Sequence, residues 1–107
     1  MPDDFQKKVF AIVQKIPKGK VASYGMIAAE VINARAARMV GWALHQLKPD
    51  TKIPWHRVIN SGGYISTSCF EHPPNLQKRL LEKEGIKIYS KDGLFYLKKP
   101  IPWWIGE

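Results

Sequence analysis

The sequence predicts a single domain over residues 1–107, mainly α with short β-hairpins, built around a winged-helix-like helix-turn-helix. Three observations predict it. Apolar residues recur at helical spacing in several stretches of 8 to 14 residues. Two of those stretches are adjacent and separated by only a short turn. Near the C-terminus two short apolar runs flank Asp92-Gly93, the pairing that tight hairpin turns favour.

Each element follows from its residues. Phe5, Val9, Ile12 and Ile16 share one helical face, with Lys7, Lys8 and Lys15 on others. Asp3 or Asp4 can cap this first helix and Pro17 stops it. After the basic turn "PKGK", Ser23 supplies a cap for a second helix carrying Tyr24, Ile27, Ala28 and Val31. A third helix is expected from about Ala34 to Leu47. At 100° per residue, Val40, Leu44 and Leu47 with Ala36 and Ala37 fall on one side. Arg35, Arg38, Trp42, His45 and Gln46 fall on the other. Prolines and glycines punctuate residues 48 to 74, and "RVINSGGYIS" suggests a hairpin around Ser61-Gly62-Gly63. A last helix from about Asn75 to Glu84 buries Leu76, Leu80 and Leu81 and stops at Gly85, with Ile86 following. "IKIY" and "LFYL" form the closing hairpin.

Length and composition bound the function. A chain of 107 residues, 45% hydrophobic, can bury a modest core without disulfides, and its lone Cys69 allows no internal bridge and no tetrathiolate zinc site. The start "MPDDFQKKVF" is unlike a signal peptide, and no apolar run approaches the ~18 residues of a membrane span, so an intracellular protein without membrane partners is expected. Seventeen Lys and Arg against nine Asp and Glu give a net charge of +8. Such a field favours polyanions, nucleic acid first, with an acidic protein or an anionic membrane surface left open. The Arg-rich outer face of the third helix, with small residues early in it for close backbone approach, points to DNA as the partner, with a merely solvated charged face as the other option.

The stretches "IPKGKVASYGMIA", "ARAARMVGWAL", "IPWHRVINSGG" and "EKEGI", in that order, resemble the DNA-binding domain of the O6-alkylguanine-DNA alkyltransferases. Where a transferase of that family reads Pro-Cys-His-Arg-Val, this chain reads Pro54-Trp55-His56-Arg57-Val58. Replacement of the alkyl-accepting cysteine by Trp is the mark of the alkyltransferase-like group. The resemblance implies the fold of that domain and a DNA damage sensor, not an enzyme. Such a sensor binds O6-alkylguanine in double-stranded DNA by flipping the nucleotide, and blocks or flags the lesion for nucleotide excision repair proteins. No cofactor or metal is implied.

The resemblance also implies roles. Arg38 matches the arginine that enters the duplex in place of the flipped nucleotide, and Tyr24 the tyrosine that crowds its phosphate and helps rotate it out. Trp55, with Tyr24, Val58 and Ser68, is expected to line the lesion pocket. Arg35 and Trp42 join Tyr24 and Arg38 on the DNA. A Trp offers a flat wall to a base but no nucleophile, so it can hold the alkyl group without accepting it. His56 and Glu84 match the pair that activates the cysteine in true transferases. Here they are expected to be structural remnants, with Glu84 paired to Arg57.

Two departures bear on the carry-over. The loop from about Ser66 to Pro74, "STSCFEHPP", lacks the Arg that some relatives place there, leaving Ser68, Phe70 and His72 to shape the pocket. The same loop holds Cys69, so an active transferase using a relocated thiol is one alternative. The other is a sequence-specific helix-turn-helix regulator. The chain has no heptad pattern or evident dimer helix, so a monomer is expected. Trp103 and Trp104 in the tail "PIPWWIGE" are expected to pack back onto the domain, with a partner-contact surface as the other option.

Overall fold

A computed structural model describes residues 4–48, 50–67 and 72–104. Its elements are α1 (Asp4–Val13), β1 (Ala22–Ser23), α2 (Tyr24–Val31), α3 (Ala37–His45), β2 (Val58–Ile59), α4 (Pro74–Lys83), β3 (Ile88–Lys91) and β4 (Leu94–Leu97). Single 3-10 turns at Ala34–Ala36 and Trp55–Arg57 precede α3 and β2.

Local chemistry sets the element ends. The Ser23 hydroxyl accepts from the Met26 amide at 3.0 Å, capping α2 as expected. The third helix is not continuous from Ala34. The Asn33 side chain accepts from the Arg35 amide at 2.9 Å, which tightens the first turn into 3-10 geometry and leaves the α-helix to begin at Ala37. α1 ends at Val13, and the chain tightens through i→i+3 bonds to Ile16 before Pro17. Asp3 lies outside the described residues. α4 begins one residue earlier than expected, at Pro74, a position where the missing N–H costs nothing.

Two apolar clusters share the interior. The first joins α1, α2 and α3 through Val9, Val13, Ile27, Ala28, Val40 and Leu44. The second lies under α4 and the β3–β4 hairpin and holds Val21, Ile59, Ile65, Leu81, Ile86 and Leu97. Between them β1 and β2 pair in parallel, Ala22 with Val58 and Ser23 with Ile59. Because side chains alternate along a strand, Val58 enters the first cluster and Ile59 the second.

The hairpin expected in "RVINSGGYIS" is present but short. Gly63 N–H donates to the Asn60 carbonyl at 2.9 Å and Asn60 N–H to the Tyr64 carbonyl at 3.0 Å, and beyond that pair its arms find different partners. β2 pairs with β1, whereas Tyr64 bridges Tyr96 of β4. Gly63 has φ +84°, a left-handed conformation that calls for glycine, and a Cβ there would also lie 2.5 Å from the Ile101 Cδ1 methyl and make it shift. β3 and β4 form the expected hairpin, with Asp92 and Gly93 both at positive φ as a type I′ turn demands. The tail packs back: Val21 N–H donates to Pro102 and Trp104 N–H to Val21, setting Trp103 against the second cluster and Trp104 against the first.

Candidate nucleic-acid interface

The outward face of α3 is as the helical wheel placed it. Arg35, Arg38, Trp42, His45 and Gln46 are exposed, while Ala36, Val40, Ala43, Leu44 and Leu47 are buried. Ala37, expected inward, is instead half-buried at the edge of the groove beside Arg38. Burial of that apolar stripe on α1 and α2 fixes the rotation of α3, and the rotation points Arg38 and Trp42 into solvent. Among the described residues no ion pair neutralises Arg35 or Arg38.

Arg38 and Trp42 border a groove of about 760 Å³ whose other walls include Tyr24, His45, Asn60, Ser61 and Thr67. Tyr24 opens α2, and the turn holding Asn60 and Ser61 is set opposite by the β1–β2 pairing. Gly41 of α3 faces the phenol: a Cβ there would stand 3.9 Å from Tyr24 Cε1, in ordinary contact. The groove therefore gathers a phenol, a guanidinium, an indole, an imidazole and small hydroxyl side chains along one helix. That mixture suits a phosphodiester backbone with a base, since it offers donors for phosphate and flat faces for stacking.

Trp55 stands one ring behind this groove. It is 7% exposed and belongs to the first apolar cluster. Its exposed edge faces a different cleft, with Ile53, Pro54, Leu76 and Leu80. It meets His72 edge-on with centroids 4.5 Å apart, and His72 in turn meets His45 of the groove wall at 6.3 Å. His72 is thus the physical link from the Trp55 indole to the groove. Val58 is a correction: it is completely buried in the core and paired with Ala22, so it supports the site from behind and lines no pocket. Ser68 and Cys69 lie outside the described residues, as does Phe70.

His56, Arg57 and Glu84 do come together. His56 Nε2 donates to Glu84 Oε2 at 2.7 Å, and Arg57 reaches the same carboxylate through Nε and Nη2 at 2.8 to 3.1 Å. The Gly19 amide adds a bond to Oε1 at 3.0 Å, and Arg57 Nη1 donates to the Ile16 carbonyl at 2.7 Å. Burial, the largest single influence on Glu84, would raise its pKa. The bonds from Arg57, His56 and Gly19 together outweigh it and hold the carboxyl at about 2. Burial also dominates at His56 and lowers it below 6.5, against the attraction of Glu84. The imidazole is accordingly neutral with its proton on Nε2, since a carboxylate can only accept. This knot ties the end of α4 to the 55–57 turn and to the 17–20 turn.

Of two buried polar side chains at the site, Gln77 had no signal of its own in the sequence, whereas His72 was expected to shape the pocket. Gln77 of α4 donates from Nε2 to the His56 and Val58 carbonyls, both at 2.9 Å, clamping the turn that carries Trp55. His72, only 2% exposed, was legible as a loop residue but not as the neighbour of Trp55. Among the described residues no cluster of three His, Cys, Asp or Glu side chains could hold a metal ion, and no helix is long and apolar enough to cross a membrane.

Residues 4–86 match the family model described as 6-O-methylguanine DNA methyltransferase, DNA binding domain. The chain belongs to this family. Within it, the chain is similar to proteins of the alkyltransferase-like kind. Alkyltransferase-like protein 1 of Schizosaccharomyces pombe is 45% identical over 103 residues, 95% of each chain. A DNA base-flipping protein of Vibrio parahaemolyticus is 44% identical over 97 residues, 91% of this chain and 94% of that one. The fold matches S. pombe Atl1 in complex with damaged DNA containing O6-carboxymethylguanine at a TM-score of 0.87, covering 95% of both chains. The O6-methylguanine methyltransferase of Mycobacterium tuberculosis, in complex with DNA, matches at 0.69 and 36% identity, with 78% of this chain laid on 51% of that one. The helix-turn-helix of this family member thus sits in a scaffold that two DNA-bound relatives share.

Proposed function

We propose that this chain is a DNA damage sensor that binds O6-alkylguanine in duplex DNA, rotates the nucleotide out of the stack and holds it without taking the alkyl group. The observation that supports it most is the groove of Tyr24 and Arg38 on a scaffold that matches, at a TM-score of 0.87, a relative solved on O6-carboxymethylguanine DNA. Extrusion of a base costs a few kcal/mol. Alkylation at O6 weakens pairing with cytosine, so the damaged guanine leaves the stack more cheaply. Arg38, exposed at the groove rim, fills the gap with an apolar stem and a planar guanidinium. Tyr24 crowds the phosphate of the rotating nucleotide, and Arg35 and Trp42 hold the duplex on either side.

Once out, the base comes to rest on the side of the groove that His45, His72 and, one ring behind them, Trp55 close off. Trp55 occupies the position where the resembled transferases carry cysteine. Its ring has no nucleophile, and the neighbouring His56 and Glu84 are committed to each other and to Arg57. They act as structural supports of the turn. We extend the reading to a monomer working inside the cell, in the cytoplasm and nucleoid or in a nucleus, which hands the marked lesion to nucleotide excision repair proteins.

Intact-mass measurement after incubation with an O6-methylguanine duplex tests the absence of transfer. The expected result is no gain of a methyl group by the wild type. Trp55→Cys should gain little or none, because a thiol at this buried position sits in the core and not in the groove. Stoichiometric methylation of the wild type would instead point to Cys69 and make the protein a transferase.

A further inference from the structure

Three of the five exposed large hydrophobic side chains among the described residues, Ile32, Met39 and Trp42, lie within the helix-turn-helix. Trp42 is 69% exposed and Met39 50%, on a helix whose other face is fully committed to the core. Arg38 and Trp42 stand one helical turn apart and form a ridge. On one side lies the polar groove of Tyr24, His45 and Asn60. On the other lies a second, apolar groove of about 350 Å³ bounded by Phe5, Met39 and Ala43. Both ridge residues border both grooves.

Resting on the reading that the ridge enters DNA, we propose that Trp42 and Met39 form a second nucleic-acid contact. In it the apolar groove takes the sugar and base faces of the strand opposite the flipped nucleotide. Continuity argues for this occupant. A duplex penetrated by Arg38 cannot avoid Trp42, because the same ridge carries both. Spacing agrees as well: four residues of α-helix advance about 6 Å, close to two base steps of about 3.4 Å each. Trp42 therefore meets the duplex roughly two steps from the gap that Arg38 fills.

Chemistry separates the two grooves in the same way. The polar groove offers donors and hydroxyls to a strand whose phosphate must be gripped and turned. The apolar groove offers an indole, a thioether and a phenyl ring to a strand that keeps its bases stacked, and whose groove-facing surface is largely deoxyribose. Apolar side chains set against base steps are a recognised way to hold a distorted duplex. A protein partner for the same apolar face would have to tolerate Arg35 and Arg38 beside it on a chain of net charge +8, whereas DNA matches both the charge and the shelf.

The test compares wild type, Trp42→Ala and Trp42→Phe on two duplexes that differ by one O6-methylguanine, over a series of salt concentrations. A 2-aminopurine placed in the complementary strand, two steps from the base opposite the lesion, reports the contact directly. Trp42→Ala is expected to weaken binding to the modified duplex by about fivefold to a hundredfold, the range for loss of one aromatic–base contact. The slope of log affinity against log salt should stay unchanged, because no phosphate contact is lost. Trp42→Phe should keep most of the affinity, and the 2-aminopurine signal seen with wild type should vanish with Trp42→Ala. Unchanged DNA binding by Trp42→Ala would overturn the inference and leave the shelf as a protein-docking face. A salt slope shallower by about one would also overturn it, as a sign of a lost phosphate contact. If wild type itself fails to prefer the modified duplex, the sensor reading fails. If wild type prefers it and Trp42→Ala behaves identically, only the second contact fails.

Discussion

His56 Nε2 donates to Glu84 Oε2 at 2.7 Å, with no cysteine in the Pro54-Trp55-His56-Arg57 stretch for the pair to activate. The bond persists because it has another use. Glu84 collects Arg57, His56 and the Gly19 amide at one carboxylate, and so joins three segments that are distant in sequence.

Removal of that hub should destabilise the fold and alter its pH dependence. Glu84→Gln leaves the Arg57 guanidinium without its counter-charge at a site where the carboxylate side chain is only 9% exposed. A loss of about 2 to 4 kcal/mol is expected. His56 is held below its ordinary 6.5, so the unfolded chain binds its proton first and stability falls as pH drops below about 6.5. Glu84 is held at about 2 against an ordinary 4.5, so its contribution is complete above 4.5 and is lost as pH falls through about 2. That second loss is on the order of 2 kcal/mol after allowance for solvent screening. Urea unfolding at pH 7, 5 and 3 checks both, and the Gln variant should lack most of the decline below 4.5. A Gln variant as stable as wild type at pH 7 would show the knot to be ornamental.

Much of this arrangement was legible beforehand. The inward stripe of Val40, Leu44 and Leu47 and the outward set of Arg38, Trp42 and His45 follow from a 100° step, because one α-helix packed on one core admits only one rotation. Ser23 as a cap, the Asp92-Gly93 hairpin and the Glu84–Arg57 pair were also readable. What escaped depends on contacts between distant segments. Val58 reads like a pocket residue beside Trp55, yet pairing with Ala22 turns it into the core. The arms of the Ser61-Gly62-Gly63 turn bond to each other only through Asn60 and Tyr64 and then part toward β1 and β4, and no local pattern encodes that choice. Gln77 faces inward against its polar character because two carbonyls of the 56–58 segment need a donor.

Arg38 provides a prediction about the lesion and not merely about DNA. Arg38→Ala should lower affinity for a duplex with one O6-alkylguanine by at least about tenfold, equivalent to about 1.4 kcal/mol. It should lower affinity for the undamaged duplex by clearly less, because only a flipped base leaves a gap to fill. Anisotropy titrations at matched salt measure both. Equal losses on the two duplexes would reduce Arg38 to one cation among several on a basic surface.

The most direct measurement is a fluorescence titration at fixed salt on two short duplexes identical except for one O6-methylguanine. The account predicts binding to the modified duplex at least about tenfold tighter, a difference of about 1.4 kcal/mol. It also predicts the same preference when the flanking sequence is changed. Equal binding to both duplexes, or a preference that follows sequence instead of damage, would contradict the sensor and leave a helix-turn-helix regulator in its place.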